Sequence, residues 1–118
     1  MSDTFTRHLT DSPSLRHRRN MWSFYGYTVA LALVPEQDFT LDFVEAISSA
    51  SSRADVFLVA IDGSERFANA VAELHAVDGI FLTSQIEDWK DVAAPHEVIS
   101  NPLFSNPGDL KGVSELKL

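Results

Sequence analysis

Residues 56–61, Val-Phe-Leu-Val-Ala-Ile, form an unbroken apolar run bounded by Asp55 and Asp62. The run is too short for a buried helix and has no polar alternate positions. It therefore predicts a β-strand covered on both faces, as in the centre of a parallel sheet. Such a strand needs a layer on either side, and connecting helices supply those layers when strands run parallel.

Both flanks carry helical patterns. After Asp38, Thr40 and Asp42, which are N-cap candidates, Phe43, Ala46, Ile47 and Ala50 recur at i, i+3, i+4 and i+7. That spacing places one apolar stripe on a helix. Downstream, Asp62-Gly63-Ser64-Glu65 combines a turn with capping-box spacing from Asp62 to Glu65. The next helix would put Phe67, Ala70, Val71 and Leu74 inward, with Arg66, Asn69 and Glu73 on a polar flank.

Residues 22–34 read as a first strand. The odd positions Tyr25, Tyr27, Val29, Leu31 and Leu33 are bulky, and Gly26, Thr28, Ala30 and Ala32 between them are small. A period of two gives one large face and one small face open to close approach by a helix. Pro35 ends the strand. Residues 79–83 predict a third strand, 87–91 a short helix with Trp89 turned inward, and 96–100 a fourth strand at an edge.

The order β-α-β-α-β-α-β predicts a small single-domain α/β fold with a mostly parallel four-stranded sheet and helices packed on it. Residues 1–20, polar and without an apolar period, are expected to be a flexible leader; residues 21–100 form the α/β domain. Residues 101–118 form a turn-rich tail around Asn101-Pro102 and Asn106-Pro107-Gly108. The chain length of 118 residues fits one hydrophobic core.

Charge narrows the partners. The net charge of −8 divides into +2 over residues 1–19 and −10 over the rest. An acidic body repels phosphate backbones, so nucleic acid is disfavoured as a partner of the folded part. The basic cluster Arg16-His17-Arg18-Arg19 is either solvated or a contact for an acidic partner. Cysteine is absent, which excludes disulfides and thiolate metal sites and fits a cytoplasmic location. No secretory pattern opens the chain, and no apolar run reaches the length of a membrane-spanning helix, so a membrane is not expected.

Several chemistries are closed by the same inspection. The five glycines are too scattered for a nucleotide-binding loop, and the nucleophile elbow Gly-x-Ser-x-Gly does not occur. His8, His17, His75 and His96 lack metal-ligand spacing, so neither metal nor cofactor is expected. His75 lies at the border of the buried helix face, where a histidine packs its ring and hydrogen-bonds its polar edge; general-base work would need a partner that the sequence does not identify.

Two carboxylate positions remain as catalytic candidates. Asp62 and Ser64 would lie outside the carboxyl end of a parallel strand, where ligands of such sheets bind. Asp62 would then hold a ribose or metal, and Ser64 would contact a phosphate; helix capping accounts for the same residues without any ligand. Glu73 on the following helix is the third candidate, with a solvated helix flank as its simpler role. Over residues 54–76, the order of buried strand, acidic turn and helix with a Glu resembles nucleoside deoxyribosyltransferases. It is also similar to nucleotide-cleaving Toll/interleukin-receptor-like domains. The resemblance implies N-glycosidic chemistry for Glu73, although the N-terminal strand motif of either family is absent.

The aromatic set Trp22, Phe24, Tyr25 and Tyr27 is dense, and its residue types are those enriched at protein contacts. The reading with most support is a soluble acidic protein-interaction or regulatory module without catalytic signature. Its contact surface would be these four aromatics, and its partner another protein or a second copy in a homodimer. The alternatives are a small nucleotide- or nucleoside-processing enzyme using Asp62, Ser64 and Glu73, and a metabolite-binding regulatory subunit.

Overall fold

The computed structural model describes residues 10–105. Nine elements follow in order: α1 (Ser12–Tyr25), β1 (Val29–Pro35), α2 (Leu41–Ser51), β2 (Val56–Asp62), α3 (Glu65–Ala72), β3 (Gly79–Leu82), a 3-10 turn (Thr83–Gln85), α4 (Trp89–Ala93) and β4 (Glu97–Val98). The four strands form one sheet in the order β3-β2-β1-β4, and every pairing within it is parallel. The α/β architecture expected from the sequence is therefore present, with β2 in the interior and β4 at an edge.

The sheet separates two apolar layers. On one side Phe43 and Ile47 of α2 and Phe67 and Val71 of α3 cover Ala30, Ala32, Phe57 and Val59. On the other, Leu15 of α1 and Trp89 and Val92 of α4 cover Leu31, Leu33, Leu58 and Phe81. The period of two in β1 thus sorts its side chains as the sequence predicts: the small residues Ala30 and Ala32 admit the helices, and the larger ones fill the opposite layer.

The start of β1 differs from expectation. Residues 22–25 are not strand; they end α1, which Gly26 closes in the left-handed conformation at φ 77°. A left-handed C-cap is the position that glycine fills without a steric penalty. The supposed leader is also partly structured. Residues 12–20 belong to α1, which Asp11 caps by accepting the Ser14 N–H at 3.0 Å, and Leu15 is fully buried. Residues 1–9 lie outside the described part. So do residues 106–118 of the tail, whereas Phe104 packs into the core and Ser105 N–H donates to Leu33 O at 2.7 Å.

One device recurs at the amino ends of the strands. The residue just before β2, β3 or β4 uses its side chain to accept a backbone N–H from the neighbouring strand or the residue leading into it. Asp55 accepts from Thr28 at 2.9 Å, Asp78 from Phe57 at 2.8 Å, and the Nδ1 of His96 from Val29 at 3.0 Å. Asp78 and His96 also return a backbone bond, to Phe57 O at 3.0 Å and Val29 O at 2.8 Å. Each side chain thus supplies an acceptor for a backbone N–H at the amino end of its ladder.

Candidate functional site

The carboxyl edge of the sheet brings Pro35 at the end of β1 beside Asp62 at the end of β2. This is where the sequence placed Asp62 and Ser64. Here Glu36 accepts the backbone N–H of Ser64 at 2.8 Å, and Glu36 N–H donates to Asp62 O at 3.3 Å. The two loops are therefore tied together by the chain's own carboxylate. Ser64, not Asp62, is the N-cap of α3: its Oγ accepts the Phe67 N–H at 3.1 Å. Asp62 stays exposed.

This geometry occupies two of the amides that an anionic ligand would use. A helix N-terminus attracts phosphate because its first N–H groups lack partners. At α3 the Ser64 N–H is given to Glu36 and the Phe67 N–H to Ser64 itself. A phosphate arriving here would have to displace the Glu36 carboxylate and would meet Asp62 and Glu65 beside it.

Glu73 is not brought to this place. It is the C-cap residue of α3 rather than a mid-helix residue, and it is exposed. The eight residues of α3 separate it from Asp62 and Ser64 by about 12 Å of helix rise. Two carboxylates serving one glycosidic bond need to flank it at closer range than that. His75 lies beyond the helix end in the turn toward β3, and it is exposed. Among the described residues, no three of His, Asp and Glu come together as a metal would require, and no helix is long and apolar enough to cross a membrane.

The reversal of strand order lies between β1 and β4, and the crevice outside it is the usual ligand position in sheets of this kind. Residues 101–105 fill it. Gln37 Nε2 donates to Pro35 O at 3.0 Å and to Leu103 O at 2.9 Å, and Phe104 is buried beneath. The signal for this closure in the sequence is Leu103 and Phe104 standing apolar among turn residues.

The aromatic candidates have a different setting. Phe24 is 81% exposed, Tyr25 58% and Tyr27 44%, with Met21 beside them at 38%. Phe24 meets Tyr25 edge-on at 5.4 Å, and Tyr25 stacks on Tyr27 at 5.7 Å. Trp22 is the exception among the four. It is half-buried against the α1/α4 layer, with the Arg18 guanidinium 5.8 Å from its ring centre. Helix α1 thus ends in a contiguous patch of rings that the fold itself leaves open.

The charges of α1 turn away from that patch. Arg19 donates through Nε to Ala93 O at 2.8 Å and through Nη2 to Ala94 O at 2.8 Å, and its Nη1 donates to Ser23 Oγ at 2.7 Å. Arg16 lies 3.6 Å from Asp88. The basic cluster seen in the sequence is therefore used largely within the molecule, to fasten α1 to the α4 segment. No family model matches the chain, and no curated protein matches it.

Proposed function

We propose that this chain is a protein-interaction module, regulatory rather than catalytic, which makes contact through Phe24, Tyr25 and Tyr27 with Met21 at the end of α1. One observation carries the reading: four large side chains adjoin on the surface, each more than a third exposed. Keeping such a patch in water forgoes burial of apolar surface at roughly 25 cal/mol per Å². Tyr and Phe also give large contact area at small cost in side-chain freedom, which suits them to binding surfaces. The carboxyl edge supports the same reading from the other side, since Glu36 and Ser64 take two of its amides and residues 101–105 lie over its crevice. A chain of 118 residues that has no cysteine suits the reducing cytosol, where we place it.

The test is photo-crosslinking in the producing cells, with a benzophenone amino acid at position 24 and, as control, at position 45 on α2. The expected result is a discrete protein adduct from position 24 and none from position 45. Equal labelling at both positions, or none at either, overturns the reading. So does a rise in melting temperature with any nucleotide or nucleoside at millimolar concentration, because a ligand held only by the native state must stabilise it.

A further inference from the structure

We propose that the surface at the end of α1 docks a second copy of this chain, α1 against α1 in antiparallel orientation about a two-fold axis. The inference rests on the reading of that surface as a protein contact and adds the identity of what covers it.

Charge placement carries the choice of occupant. In α1 and its cap, Asp11 stands against Arg16, Arg18 and Arg19; in the α4 segment, residues 83–94, Lys90 stands against Glu87, Asp88 and Asp91. The two groups cancel, so the α1/α4 layer has no net charge. Residues 26–82 and 95–105 carry ten carboxylates against Arg53 and Arg66 alone. Among the described residues the net charge of −8 therefore lies on the α2/α3 layer and the two ends of the sheet. Two copies repel each other through those regions and can approach without like-charge cost only through α1 and α4. A strongly basic partner would instead be drawn to those acidic regions, not to the outer face of α1.

The outer stripe of α1 suits a self-complementary contact. Pro13, His17, Asn20, Met21 and Phe24 follow one another at helical spacing, all are exposed, and none carries a full charge when the imidazole is neutral. Leu15 is the only fully buried apolar side chain of the helix, so α1 gives most of its surface to solvent. A two-fold axis between Asn20 and Met21 sets Phe24 of one copy against His17 of the second copy. Tyr25 then lies near Arg16 of the second copy, within reach of a cation–π contact. Antiparallel helices meet at interaxial distances of about 8–10 Å, which buries Met21 and Phe24 at the centre of the contact.

Sedimentation equilibrium of the full chain tests the proposal. A dimer is expected whose dissociation constant stays level or falls as salt rises from about 50 to about 500 mM, because screening relieves the repulsion of the acidic layers. Phe24→Ser should weaken it roughly tenfold or more. The native chain has no cysteine, so single-cysteine variants report cleanly. Met21→Cys should form a disulfide-linked dimer under mild oxidation, and Glu45→Cys should not.

A dimer that weakens with salt, that ignores Phe24→Ser, or that crosslinks equally from position 45 overturns the proposal. A monomer at all concentrations overturns it as well. In that last case, in-cell crosslinking from position 24 separates the two claims: an adduct to another protein preserves the contact surface, and no adduct removes both.

Discussion

The Glu36 carboxylate holds the Ser64 N–H at 2.8 Å, and the same side chain fills the space over Gly63. A Cβ on Gly63 would lie 2.8 Å from the Cβ of Glu36 and 2.9 Å from its Oε1. The close approach, not an unusual backbone angle, is what requires glycine there. Gly63→Ala should lower unfolding stability by about 1–3 kcal/mol, since the Glu36 Cβ cannot swing aside as the carboxylate can. Urea denaturation checks it; a variant as stable as the parent would mean that the two loops are not held as described.

The side chains that close the strand ladders give a second expectation. Asp78→Ala removes the acceptor of the Phe57 N–H, which lies 2.8 Å away in a partly buried position. The loss should be about 1–3 kcal/mol, the cost of leaving a donor unsatisfied. Asp78→Asn retains an acceptor oxygen and should recover most of it. Equal losses in both variants would show that the carboxylate acts through charge and not through this bond.

Helix α1 permits a sharp contrast between two apolar residues nine positions apart. Leu15 is 1% exposed and Phe24 is 81% exposed. Leu15→Ala should cost about 2–5 kcal/mol, as cavity-forming changes do. Phe24→Ser should shift stability by no more than about 0.5 kcal/mol at concentrations where the chain is a monomer. Reversal of that order in chemical denaturation would place α1 the other way round.

Ala94 ends α4 at φ 40° and ψ 57°, in the left-handed region, with its N–H bonded to Lys90 O. An alanine held there is strained by contact of its Cβ with the backbone. Ala94→Gly removes the strain but adds freedom to the unfolded chain, and the balance should stabilise by about 0.5–1 kcal/mol. A fall in melting temperature would contradict it.

The cap of α1 is tied to pH. The Ser14 backbone N–H, then the Ser14 hydroxyl, hold the Asp11 carboxyl below its ordinary value of 3.8. The unfolded chain therefore takes up this proton at higher pH than the folded one. The contribution of Asp11 is complete above pH 3.8 and is lost as pH falls through the lower folded value. Amide exchange at Leu15, whose N–H bonds Asp11 O at 2.9 Å, should accelerate in that acid range. Asp11→Ala should remove the pH dependence; persistence of it would exclude Asp11 as the cause.

What could be read from the residues depended on how strongly burial had patterned them. Residues 56–61 are buried on both faces and carry no ambiguity, and the stripe from Phe43 to Ala50 is buried position for position. Helix α1 fully buries a single apolar side chain, Leu15, and so presents no apolar stripe in the sequence. Its exposed rings then alternated in phase with β1 and were absorbed into it. The caps were the available signal: Asp11 with Pro13 just inside the start, and Gly26 just past the end. Asp62 ends β2 as its place in the pattern implies, but the cap of α3 is Ser64, which stands two residues closer to Phe67 and takes its N–H. The Glu36 tie spans 28 residues of sequence, and no local spacing encodes it.

Among the described residues the acid sits on α2, α3 and the ends of the sheet while α1 and α4 together carry no net charge, which makes this part of the chain a permanent electric dipole pointing away from α1. On a positively charged chromatography resin it will lie down on α2 and α3 with α1 facing the liquid. Elution from such a column should therefore follow changes such as Glu45→Gln and ignore Phe24→Ser. The same orientation on a sensor chip would present the aromatic end of α1 to any molecule passing over it.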